Sequence, residues 1–144
     1  MNLPPEQKQA KSIYIAYKYR YMEDKETLKR ELQDISDTLS SLGHNVFILG
    51  RDVQEWKSHR HSKFSTLKDI INNIGKHNVL FVYLNSDVHS NGIPVEFALA
   101  KIYNLATIVA RKNTIKRSAY EKLADKSFVF NDISDLEGKI KEIF

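Results

Sequence analysis

The chain has 144 residues, no cysteine and a formal net charge of +4, from 22 basic and 18 acidic side chains. One continuous core is expected at this length, and a composition of 42% hydrophobic and 28% charged residues speaks against a disordered, fibrous or membrane class. The absence of cysteine excludes a disulfide framework, a thiolate nucleophile and a cysteine-ligated metal site, while the basic excess is too small to indicate binding of polymeric nucleic acid.

Residues 1–11 lack the apolar stretch of a signal peptide and read as a flexible N-terminal segment before a single domain over 12–144. No apolar run reaches the ~20 residues that span a bilayer, so a soluble, cytoplasmic protein with no membrane partner is expected. Ser12-Ile13-Tyr14-Ile15-Ala16-Tyr17 is β-rich and apolar on both parities, as in a strand covered on both faces. From Asp24, apolar residues recur at Leu28, Leu32, Ile35, Leu39 and Leu42, which is one helical face, and Gly43 supplies the stop. His44 to Gly50 reads as a second strand, followed by a polar loop from Arg51 to Lys63 long enough to act as a lid.

Phe64, Leu67, Ile70, Ile71 and Ile74 mark a second helix, with Ser62 or Ser65 as cap and Gly75 as stop. Asn78 to Leu84, an apolar run, is a third strand. A helix from Pro94 to about Tyr103 is expected to bury Val95, Ala98, Leu99 and Ile102, with Pro94 in a first helical position. Leu105 to Ala110, a short helix from Ser118 to Ala124, a strand Ser127 to Phe130 and a last helix from Ser134 complete the pattern. Strands alternating with helices predict an α/β fold: a flavodoxin-like or Rossmann-like three-layer sandwich around a five-stranded parallel sheet. Such sheets bind ligands beyond the carboxyl ends of their strands, where Tyr17 to Tyr21, Arg51 to Lys63 and Asp87 to Glu96 would lie.

The turn Ser90-Asn91-Gly92 before the Pro94 helix offers a hydroxyl and free N–H groups to an anion, or is an ordinary turn. Glu96, at about the third helical position, is placed where the helix dipole favours an ionised carboxylate, which suits either a nucleophile or a capping residue. The first βα turn holds Lys18 and Arg20 among tyrosines, suited to phosphate pairing and to stacking, or to a plain exposed loop. Asp69 lies beside the apolar face of its helix, where it either orients a sugar hydroxyl or is simply solvated. No glycine-rich dinucleotide fingerprint, P-loop, helical His pair or GxSxG elbow is present, which argues against dehydrogenase, P-loop NTPase, zinc-hydrolase and α/β-hydrolase chemistry.

Together these residues resemble the nucleoside 2-deoxyribosyltransferase superfamily, particularly its nucleoside 5′-monophosphate N-glycosidase branch. The likeness runs from the first strand to the fourth. It rests on Ile13-Tyr14-Ile15-Ala16, on Arg20 in the position of a phosphate-loop arginine, and on Gly43-His44-Asn45-Val46 at the entry to the second strand. It rests further on Asp69 and on Ser90-x-Gly92-x-x-x-Glu96-x-x-x-Ala100 as the active-site signature. The resemblance implies Glu96 as nucleophile at the anomeric carbon and Asp69 as the residue that orients the sugar or assists proton transfer. It implies Ser90, Gly92, Lys18 and Arg20 around a phosphate, and Tyr14 or Tyr17 against sugar or base. Transferases of free nucleosides tend to carry Asp where this chain has Ser90, so a nucleotide substrate is favoured. No metal or other cofactor is implied, and relatives are often homodimers or larger. Tyr17 and Ala98 replace glycines common in the family. Transfer of deoxyribose between bases, a TIR-like NAD-cleaving module and a nucleotide sensor are the alternative readings.

Overall fold

The computed structural model describes residues 9–19, 22–56 and 63–144. Five strands, β1 (Ser12–Tyr17), β2 (Asn45–Ile48), β3 (Val79–Leu84), β4 (Ala106–Lys112) and β5 (Lys126–Phe130), form one all-parallel sheet in the order β2-β1-β3-β4-β5. The connecting helices are α1 (Lys25–Ser41), α2 (Leu49–Asp52), α3 (Lys63–Ile74), α4 (Gly92–Ile102), α5 (Ala119–Leu123) and α6 (Ile133–Ile143). This is the expected flavodoxin-like three-layer arrangement. The direction of strand addition reverses between β1 and β3, which opens a crevice beyond their carboxyl ends.

Alternation along the strands divides the core in two. Ile13, Ile15, Phe81 and Tyr83 face α1 and α6, where Leu28, Leu32, Ile35, Leu39, Leu136 and Ile140 meet them. Tyr14, Ala16, Leu80, Val82 and Leu84 face the other way, toward Ile74, Ile93, Phe97 and Ala100 of α3 and α4. Both faces of β3 are covered, which explains its unbroken apolar sequence. The first helix follows its sequence signals closely. Asp24 caps it by accepting the Thr27 N–H at 3.0 Å, and Gly43 leaves it with φ +91, in the left-handed region. Leu42, counted on the apolar stripe, is instead the partly exposed C-cap.

Several boundaries differ from expectation. The second strand ends at Ile48, because Leu49–Asp52 turns into a short helix as the Asp52 carboxylate accepts the Ile48 N–H at 2.9 Å. In α3 the buried side is narrower than the apolar pattern, since Phe64 is 80% and Ile71 47% exposed. Helix α4 begins at Gly92, two residues before Pro94, so Pro94 is third in the helix and Glu96 fifth. Its buried residues are Ile93, Glu96, Phe97 and Ala100, while Ala98 is exposed and Ile102 is 70% exposed. The helix is apolar almost all round, so the stripes 95/98/99/102 and 93/96/97/100 have equal periodicity, and packing against the sheet selects the one that contains Glu96. Of the segment 1–11 described as flexible from sequence, residues 1–8 lie outside the described residues. Lys11 is tied down, its N–H donating to His44 Nδ1 and its carbonyl accepting from Asn45. Among the described residues no helix is long and apolar enough to cross a membrane.

Candidate active site

Helix α4 starts where the chain leaves β3 and crosses the crevice, and Ser90 prepares that start by accepting the Ile93 N–H on its Oγ at 3.2 Å. With the oxygen accepting from that N–H, the hydroxyl's own proton remains available to a ligand oxygen. One full turn further on, Glu96 points back into a cleft whose other walls come from Tyr17 at the end of β1 and Tyr19 beyond it, Leu49 and Gln54 after β2, and Thr66 and Ile70 of α3. Gly92 forms part of the same wall. A Cβ at this position would stand 3.4 Å from Glu96 Oε1, so the glycine keeps the space beside the carboxyl open.

Glu96 is only 6% exposed, and burial raises its pKa from 4.5 to about 7. This reverses the electrostatic expectation from sequence. At the fifth helical position the carboxyl lies beyond the exposed N–H groups of the first turn, and desolvation outweighs the dipole. The Tyr14 hydroxyl opposes the rise, and burial together with the adjacent Glu96 charge pushes the Tyr14 pKa well upward in turn. Tyr14 points from the middle of β1 into the α3–α4 layer, fully buried, with its ring 5.3 Å from Phe47 and 5.7 Å from His77. Its hydroxyl lies beside the carboxyl without completing a hydrogen bond of good geometry. It is thus a donor held in reserve at the carboxylate.

Tyr17 sits one sheet face away. Its hydroxyl accepts the Gly50 N–H at 2.8 Å, and its ring meets Tyr19 and Trp56 edge-on with centroids 6.3 and 6.2 Å away. Lys25 and Lys29 lie over the Tyr19 and Trp56 rings at 5.4 and 5.6 Å. This aromatic wall depends on an irregular segment. Glu55 and Trp56 adopt φ values of 50 and 60, and a Cβ on Gly50 would strike the Tyr17 hydroxyl and the Trp56 ring.

Of the residues singled out in the sequence, Tyr17, Ser90, Gly92 and Glu96 line one cleft. Tyr14 reaches Glu96 from beneath. Asp69 stands behind Gln54, whose Nε2 is 3.3 Å from Asp69 Oδ2, and its charge is felt at Tyr14. Lys18 turns away from the lining. Its half-buried Nζ donates to the Ser86 carbonyl at 2.8 Å, and burial lowers its pKa. Arg20, and the 57–62 part of the proposed lid, lie outside the described residues. Sequence reasoning missed Gln54, Thr66, His89 and Asn91. Gln54 is 5% exposed, and His89 and Asn91 flank Ser90 in the same turn. The only signal for the latter pair was their adjacency to Ser90.

No protein-family model matches the chain, and no curated protein matches it. Solved structures do share its fold. The CMP N-glycosidase BcmB of Clostridium botulinum superposes with a TM-score of 0.68 at 14% identity, covering 92% of this chain and 99% of that one. A 2-deoxyribosyltransferase from Bacillus psychrosaccharolyticus has a TM-score of 0.59 at 18% identity, with coverages of 88% and 90%. A conserved protein from Enterococcus faecalis reaches 0.66 at 12% identity, with coverages of 94% and 100%.

Proposed function

We propose that this chain hydrolyses the N-glycosidic bond of a nucleoside 5′-monophosphate, releasing free base and sugar 5-phosphate. The observation that carries the reading is the buried carboxyl of Glu96 on the wall of a cleft that also presents Ser90 and Gly92 at the start of α4. The fold shared with an N-glycosidase and a deoxyribosyltransferase supports it. In the first step an ionised Glu96 oxygen attacks C1′ of the sugar. The C1′–N bond breaks, its electron pair leaves with the base, and the base takes up a proton. In the second step a water oxygen bonds to C1′, the ester bond to Glu96 breaks, and one proton is released as the carboxylate is restored.

Tyr14 stabilises the carboxylate form, and Asp69, next to Gln54, orients a sugar hydroxyl or assists proton transfer. Ser90 and Gly92 hold the phosphate, with Arg20 assigned to it from the sequence alone, and Tyr17 packs against sugar or base. The exposed apolar side chains of Phe64, Ile71, Ile102 and Tyr103 on the α3–α4 layer suit a second copy of the chain, so the working form is taken to be a homodimer, a point sedimentation decides.

The decisive experiment follows base release from a panel of nucleoside 5′-monophosphates, with mass-spectrometric capture of a sugar phosphate on Glu96 during turnover. Full activity of Glu96→Ala would overturn the mechanism. Release that depends on an acceptor base rather than on water would make the protein a transferase.

A further inference from the structure

Breaking the C1′–N bond leaves an electron pair on the base, and the first step proposed above assigns no group of the protein to it. Nucleophile and leaving group lie on opposite sides of the carbon under attack, so a donor that meets this charge has to stand across the cleft from Glu96. In the two-carboxylate scheme of glycosidases a carboxylic acid fills that place, but Glu96 is the sole carboxyl among the described residues that line the cleft. His89, Ser90 and Asn91 belong to the turn that starts α4, on the same side as Glu96. Facing them are the polar side chains of Tyr17, Tyr19, Gln54 and Thr66. Tyr19 turns its hydroxyl to the Trp56 carbonyl 3.5 Å away, and the Gln54 amide is shared between Thr66 Oγ1 at 3.4 Å and Asp69 Oδ2 at 3.3 Å.

Tyr17 is placed differently. Its oxygen accepts the Gly50 N–H at 2.8 Å, and its O–H proton has no acceptor among the described residues. Gly50 is the second residue of α2, so this N–H is one of the donors that a helix start leaves unpaired, and it fixes the hydroxyl beside Leu49, itself a cleft residue. Accepting a hydrogen bond polarises the phenol and strengthens its O–H as a donor. Edge contacts with Tyr19 and Trp56 hold the ring. Burial raises the phenol pKa against the opposing pull of the Gly50 N–H, so the oxygen keeps its proton at neutral pH.

Resting on the glycosidase reading above, we infer that Tyr17 is a further catalytic residue: its hydroxyl donates a hydrogen bond to the base as the C1′–N bond breaks. The electron pair of that bond leaves with the base, the phenol keeps its proton, and the base takes up its proton from water. A fixed neutral donor aimed at charge that appears only in the transition state acts on the rate of bond cleavage rather than on substrate affinity. Its effect therefore depends on the leaving group. A base that departs as a poor anion needs the donor, and one that departs as a stable anion or a neutral molecule does not.

The test uses the full chain and pairs a nucleotide that the panel shows to be cleaved with an activated analogue of the same base: the 5-fluoro analogue for a pyrimidine, the 7-methyl analogue for a purine. Tyr17→Phe keeps the ring and removes the donor. Its kcat/KM should fall about 10²-fold on the ordinary nucleotide and at least about threefold less on the activated one. Thr66→Val removes the other hydroxyl on that side of the cleft and should change both substrates alike. Equal losses on the two substrates in Tyr17→Phe would overturn the inference and leave the hydroxyl as an anchor for Gly50. A loss that depends on the leaving group in Thr66→Val, and not in Tyr17→Phe, would overturn it as well. If Tyr17→Phe does not fold, 3-fluorotyrosine at position 17 takes its place, since it keeps the ring and the Gly50 bond and makes the O–H a stronger donor. It should raise kcat/KM on the ordinary nucleotide more than on the activated one, and an equal effect on both overturns the assignment. A parent protein that releases base from nothing in the panel ends the glycosidase reading and this inference together, whereas equal losses in an active protein end only the role of Tyr17.

Discussion

Replacing Glu96 by glutamine should stabilise this protein, and by an amount that depends on pH in a defined way. Burial raises the carboxyl from 4.5 in the unfolded chain to about 7 in the folded one. Below pH 4.5 both states carry the proton. Between 4.5 and about 7 the unfolded chain releases it while the folded chain keeps it, so the folded state binds more protons and stability falls as pH rises. The loss is complete above about 7. At 1.36 kcal/mol per unit, the interval from 4.5 to about 7 amounts to roughly 3 kcal/mol. Glutamine fills the same space and never ionises. Glu96→Gln should therefore match the parent near pH 4.5 and melt roughly 5–10 °C higher at about pH 8.5, while losing base-releasing activity. Thermal unfolding followed by circular dichroism across this range is the assay. A stability difference that does not change with pH, or a variant less stable than the parent at alkaline pH, would refute the argument that burial holds Glu96 in its neutral form.

On the proposed mechanism the same carboxyl must be ionised to attack C1′, so kcat/KM for base release should rise with pH to a plateau above about 7, and a flat profile through that region would count against Glu96 as the titrating group. Tyr14→Phe removes the hydroxyl that lowers the Glu96 pKa, so the midpoint of this profile should move upward. Its melting temperature should change little near pH 4.5, where Glu96 is protonated in both states and the hydroxyl completes no hydrogen bond of good geometry, and should fall at alkaline pH, where the raised Glu96 pKa costs stability. Gly50→Ala drives a Cβ into the Tyr17 hydroxyl and the Trp56 ring, which should cost about 1–3 kcal/mol in chemical denaturation. Trp56 is the only tryptophan, so its fluorescence should shift in the folded variant and report directly on the aromatic wall.

The layer structure was legible in the sequence because its elements carry unambiguous patterns. Helix α1 has one apolar stripe on a polar cylinder, with Asp24 and Gly43 marking its ends, and β3 is apolar on both parities as only a doubly covered strand needs to be. Helix α4 was not legible in the same way. Its two competing stripes differ in whether Glu96 is buried, and periodicity gives no reason to bury a carboxyl. Tertiary contact with Tyr14 and the crevice makes that choice. The aromatic wall was hidden for another reason: Glu55 and Trp56 occupy left-handed backbone conformations that no glycine or asparagine announces. The candidate-site residues Glu96, Ser90 and Gly92 were visible as a spaced motif, whereas the electrostatics of Glu96 were not, because a pKa depends on what the fold places around the group.

That electrostatic setting bears on the proposed catalysis, from which the following consequences derive. A carboxyl with a pKa near neutrality is a less available nucleophile at rest than a solvated one, which looks like a defect until the charge of the transition state is considered. Cleavage of an N-glycosidic bond builds positive charge on the sugar ring as the base departs. In a site of low effective dielectric, an ionised Glu96 interacts with that charge far more strongly than it would in water, and the attraction exists only as the charge develops. The desolvation that raises the resting pKa therefore acts against the free enzyme and in favour of the transition state. Tyr14 tempers the cost by keeping a hydroxyl at the carboxylate. On this reasoning, a variant that opens the cleft to water, such as Ile70→Ala on the α3 wall, should lower the Glu96 pKa and yet reduce kcat at alkaline pH, where ionisation is no longer limiting. An unchanged or higher kcat there would mean that burial of Glu96 serves packing rather than catalysis.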